Sequence, residues 1–145
     1  MMMQLPVTDI APLIPQKQPF VLISELLYAD EQLTRTSFTI PKGHVMVTNG
    51  QLTEGGLLEN IAQTAAASAG FIAINSGRAV QEGYIAAAKN FEVFSLPKVG
   101  DTLITEVTML ESLGGMNIIS GRVTKGEELL AQCELRIMLK EETAG

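Results

Sequence analysis

The chain has no tryptophan, few aromatic residues (5%), one cysteine and one histidine. With so few rings, the interior has to be built from Leu, Ile, Val, Ala and Met. Cys133 has no partner for an intrachain disulfide. One Cys and one His cannot make a Cys/His zinc site either, so no metal is expected. A reducing compartment is the natural reading. Basic residues are also scarce, with ten Lys and Arg against sixteen Asp and Glu and a net charge of −6. No Lys/Arg cluster forms the basic face that nucleic-acid binding needs. The opening residues MMMQLPVTDI lack the basic and apolar regions of a signal peptide. The longest apolar stretch, Ile61–Ile74, is interrupted by Gln63, Thr64, Ser68 and Gly70. It reads as too short and too polar for a membrane span. The expectation is a cytoplasmic protein that binds neither nucleic acid nor membrane.

What is present is a well-stocked core. Hydrophobic residues make up 46% of 145 positions, enough for one domain. Asp9–Gln16 carries two prolines and reads as one short turn before an extended segment. FVLISELLY (Phe20–Tyr28) predicts a strand, and the alternating, Thr-rich Leu33–Ile40 its hairpin partner. His44–Thr53 reads as a loop. Four more strands are predicted over Gly83–Phe94, Asp101–Glu111, Met116–Thr124 and Leu129–Leu139. The last should place Leu129, Ala131, Cys133, Leu135 and Ile137 on one face, with Leu130 among the residues on the other. The tail Glu141–Gly145 is expected to fray.

Between the second and third strands lies GGLLENIAQTAAASAGFIAINSG. Leu57, Ile61, Ala65 and Ile72 recur at helical spacing and are expected to pack on the sheet. Thr53 and Glu54 suit the helix start, and Gly77 suits its end. The five alanines at 62, 65, 66, 67 and 69 make a helix with little bulk, suited to close approach by a sheet. Two strands, one helix and four strands give no βαβ alternation, which argues for α+β rather than a doubly wound fold.

Several segments resemble one family. Ile14-Pro15-Gln16-Lys17-Gln18-Pro19-Phe20-Val21-Leu22-Ile23 is similar to the "LPHRYPFLLVD" segment of the 3-hydroxyacyl-acyl-carrier-protein dehydratases. Leu58-Glu59-Asn60-Ile61-Ala62-Gln63 resembles their "LEAMAQ" helix. Phe91, Pro97, Gly100 and Asp101 fall where the family has "F-x-x-P-x-x-x-G-D", and Gly114-Gly115-Met116 resembles its "RGG-I" hairpin. The likeness runs in order from about Ile14 to Leu139. In the family's "GHFPGHPVMPG" loop, this chain keeps Gly43-His44 and lacks the Phe, the prolines and the second His.

The resemblance implies a hotdog fold, an antiparallel sheet of about six strands wrapped around one long central helix, in a single domain over 1–145. It implies conversion of a (3R)-hydroxyacyl-ACP thioester to trans-2-enoyl-ACP in fatty-acid or polyene biosynthesis. Such an elimination needs a base for the C2 proton, a carboxyl for the leaving hydroxyl, and amides for the carbonyl. On the family's pattern these are His44 from the partner subunit, Glu59, and the amides of Gly55 and Gly56. Gln63, one turn after Glu59, either supports it by a hydrogen bond or lines a polar seam. Lys89, Lys98 and Arg78 form a weaker candidate set for docking an acidic carrier or a pantetheine phosphate. No cofactor is expected beyond the acyl-phosphopantetheine that ACP or CoA carries. The assembly implied is a homodimer or higher oligomer of dimers, or a heterodimer, joined through Gly83–Phe94 with Ala86, Ala87 and Ala88 at the edge. The alternatives are a non-catalytic partner subunit of a heteromeric dehydratase and an acyl thioesterase on the same fold.

Overall fold

Alternating apolar and polar residues over the second half of the chain give long strands with one dry face. In the computed structural model, which describes residues 2–140, the elements are β1 (Glu25–Ala29), β2 (Leu33–Thr39), β3 (Val47–Thr48), β4 (Gln51–Leu52), α1 (Glu54–Asn75), β5 (Gly83–Val93), β6 (Thr102–Leu113), β7 (Met116–Lys125) and β8 (Glu128–Leu139). Six strands form one sheet in the order β1-β2-β6-β7-β8-β5. Every neighbouring pair in it is antiparallel. The expected α+β layout, about six strands around one long helix, is the one observed.

The dry face carries Phe38, Leu103, Val107, Ile119, Val123, Ala131, Cys133 and Leu135, and Leu57 and Ile61 of α1 pack into it. Ile61 meets the sheet where it has no side chain. A Cβ on Gly121 would stand 2.3 Å from Ile61 Cγ2. The C-terminal half of α1 is covered differently. Val7, Ile10, Leu13 and Ile14 come from the N-terminal segment and close over Ala67 and Phe71. Its single turn is tied by the Leu13 N–H to the Ile10 carbonyl at 2.8 Å. Gly70 is required there, since a Cβ would lie 2.1 Å from the Leu13 carbonyl oxygen.

The structure corrects several expectations. Strand β1 begins at Glu25, not Phe20, because side chains rather than a strand bind the backbone of Phe20–Leu22 (below). The expected loop His44–Thr53 contains the short β3–β4 hairpin, turning at Asn49-Gly50 with φ of 54° and 75°. Leu130 is buried with Ala131, because the β7–β8 register shifts between Val123 and Thr124. Ala65 and Ile72 are only half-buried, unlike Leu57 and Ile61. Both border an open groove. The α1 helix, with 22 residues and a mean hydropathy of 1.2, is long and apolar enough to cross a bilayer. Here one side of it is occupied by the sheet. Glu141–Gly145 lies outside the described residues.

Strand β5 pairs with β8, and among the described residues no strand pairs with its other edge. It skips register at Ala86 and again at Asn90–Phe91, where Asn90 has φ 53°.

Replacing Gly70 by alanine should drive a methyl group into the Leu13 backbone. We expect a loss of about 1–3 kcal/mol in urea unfolding. A change under about 0.5 kcal/mol would show that the N-terminal segment yields freely.

Candidate active site

The start of α1 is built by its own cap. Thr53 has extended backbone and its hydroxyl accepts the Gly56 N–H at 3.1 Å. The Thr53 N–H in turn reaches the Met46 carbonyl at 3.0 Å, so the cap also fastens the preceding loop. Gly56 is buried beneath Leu52, whose Cδ1 would lie 2.7 Å from a Cβ at that position. Its amide therefore serves the cap and is not free for a thioester oxygen, contrary to the role expected for it. Gly55 is exposed and outside that bond.

His44 sits in a turn closed by the Val47 N–H on the His44 carbonyl at 2.9 Å. The residue is 9% exposed, and its ring meets Phe38 edge-on, with centroids 5.8 Å apart. The Met46 N–H donates to Nδ1 at 3.0 Å. A backbone amide can only donate, so Nδ1 holds the lone pair and Nε2 the proton. Nε2 then donates to the Val21 carbonyl at 2.9 Å.

The same segment is gripped from the helix. Gln63 is 1% exposed. It donates from Nε2 to the Phe20 carbonyl at 3.0 Å and accepts the Leu22 N–H on Oε1 at 2.7 Å. Its amide is thus spent on Phe20–Leu22 and not on Glu59, which decides between the two roles considered for it. Asn60 is completely buried. It donates to the Leu22 carbonyl at 2.8 Å and accepts the Thr105 hydroxyl at 2.5 Å. Thr64 donates to the Asn60 carbonyl at 2.8 Å, and so accepts from Thr36 at 2.8 Å. Asn60 is the residue the sequence reading missed. The signal was an amide at the centre of an apolar helix, where burial demands hydrogen-bond partners.

Glu59 points elsewhere. It is half-buried and lines a groove of about 1190 Å³ between α1 and the inner face of β5–β8. Ala62, Ala66 and Ala69 form the helical wall, and Met109, Ile85 and Ile137 face them from the sheet. Among the described residues no side-chain hydrogen bond or ion pair engages Glu59. His44 does not line this groove, so one chain alone does not bring the two together. Arg78 is exposed and lies at the groove's far end, near the C-terminus of α1. Lys89 and Lys98 are exposed and outside it. Lys98 acts locally through its backbone N–H, which donates to Asp101 at 2.8 Å. That bond, helped by Lys125 at 3.3 Å, holds the Asp101 carboxyl below the usual carboxylate range.

A family model described as "ApeP dehydratase" matches residues 8–144. The chain belongs to the ApeP-like dehydratase family. Its solved neighbours show the hotdog fold. A chain of the dehydratase heterocomplex ApeI:P from Xenorhabdus doucetiae superposes with a TM-score of 0.87 at 14% identity, covering 97% of this chain and 94% of that one. A hypothetical thioesterase with coenzyme A from Streptococcus pneumoniae gives 0.62 at 12% identity, covering 83% and 88%. The E. coli PaaI protein, from a phenylacetic acid degradation operon, gives 0.62 at 13% identity, covering 78% and 80%. No curated protein matches in sequence. The ApeP-like assignment and the fold together support a dehydratase-like or thioesterase chemistry.

Replacing Asn60 by alanine strips partners from the Thr105 hydroxyl and the Leu22 carbonyl, both buried. We expect a loss of about 3 kcal/mol in chemical denaturation. Cys133 gives a second check. Burial pushes its thiol up to about 11, so alkylation should be slow in the folded protein and fast once it unfolds.

Proposed function

We propose that this chain is a dehydratase subunit that interconverts 3-hydroxyacyl and trans-2-enoyl thioesters carried on acyl carrier protein, within fatty-acid or polyene biosynthesis in the cytoplasm. One observation carries the reading. Glu59 is a carboxyl with no side-chain partner among the described residues, on the wall of the groove, at the helix end where a thioester could meet the Gly55 amide. A carboxyl in that place suits delivery of a proton to the departing C3 hydroxyl. The alanines that follow along α1 leave a path for the acyl chain. No metal or redox cofactor enters this scheme.

The free edge of β5 beside the groove supports pairing with another hotdog chain, which would cover the groove's open side. A second copy gives a homodimer. The alternative of a non-catalytic partner in a heteromeric dehydratase is favoured by one specific observation, the engagement of both His44 ring nitrogens.

Purified protein incubated with 3-hydroxyacyl and trans-2-enoyl pantetheine thioesters should interconvert them. Glu59→Gln should lower that turnover by about 10²–10⁴-fold with little change in melting temperature. Hydrolysis that depends on Glu59, without interconversion, would replace this reading by a thioesterase. Ala69→Phe should place a ring in the groove and reduce kcat/KM for long acyl chains more than for short ones.

A further inference from the structure

Four backbone groups between Phe20 and Leu22 are held by side chains instead of strand partners. The Phe20 carbonyl and the Leu22 N–H go to Gln63, and the Leu22 carbonyl goes to Asn60. All three ties come from α1. The Val21 carbonyl between them goes the other way, to His44 in the loop before α1. That loop is itself fastened to the helix start by the Thr53 N–H on the Met46 carbonyl.

We propose that His44 is a positioning residue and not the proton acceptor of the elimination. Through Val21 it clamps the Phe20–Leu22 strap against Gln63, and so fixes the helical turn between Gln63 and Glu59. A neutral imidazole has one N–H and one lone pair. Here the N–H is spent on the Val21 carbonyl and the lone pair on the Met46 N–H. Neither is left to take a proton from C2. The surroundings agree, since the ring is buried, lies edge-on against Phe38 and does not line the groove.

His44 is the only histidine, so its ring can be observed without assignment. In ¹⁵N spectra of the native protein at neutral pH, Nε2 should be pyrrole-like and Nδ1 pyridine-like. Diethyl pyrocarbonate should leave the ring unmodified until the protein unfolds. The activity arm rests on the dehydratase reading. There, His44→Ala should lower turnover at least about tenfold. His44→Gln can still donate to the Val21 carbonyl and should recover most of that loss, although it cannot act as a base. Rapid carbethoxylation of the native ring would overturn the proposal. So would a stably folded His44→Gln protein as inactive as His44→Ala. If wild-type protein shows no turnover that depends on Glu59, the dehydratase reading fails, and the ring spectrum and its protection still decide the role of His44.

Discussion

Two buried amides, Asn60 and Gln63, carry a constraint on which the rest of this structure depends. A helix packed on a sheet normally offers its neighbours only apolar contact. Here the helix also supplies the hydrogen bonds for a stretch of backbone that no strand reaches. An unpaired backbone group costs about 1–3 kcal/mol when buried, so the strap can lie over the helix only because these amides meet it. Once it does, the first strand must start late, at Glu25, and the loop carrying His44 must come close enough to use the one carbonyl left over.

The central helix and the sheet were legible from the residues. Alanine content and three-to-four spacing marked the helix, and period-2 alternation marked β2, β6 and β8. The strap was not. FVLIS has the apolar run of a strand, and nothing in it shows that Gln63, Asn60 and His44 outbid a neighbouring strand for its carbonyls. Leu130 was misplaced for a related reason, since a register shift in a long hairpin leaves no trace in the alternation.

The site was legible in the same uneven way. Glu59 stood out because it is a lone carboxylate amid small apolar residues, and it lies on the groove. Gly56 was expected to offer its amide to the substrate and Gln63 either to support Glu59 or to line a polar seam, and both are occupied with holding local structure. A glycine at a helix start and a glutamine one turn past an acid are consistent with either role. Only the partner atoms decide. His44 shows the limit most clearly. Its residue type suits proton transfer, but availability depends on which backbone groups face its two nitrogens.

The N-terminal segment closes over the far half of α1, and its register there is marked at both ends. The Met3 N–H donates to Asn75 Oδ1 at 2.7 Å while Asn75 Nδ2 donates to the Met3 carbonyl at 3.1 Å, and Leu13 lies against Gly70. During synthesis the first residues therefore wait for the last turn of the helix to leave the ribosome before they have anywhere to dock. Val7, Ile10, Leu13 and Ile14 spend that interval unprotected. The prolines at 12 and 15 interrupt that apolar stretch and make it a poor template for strand pairing while it waits. What the finished fold uses as a cover is, for a nascent chain, the part that must be kept from finding the wrong partner.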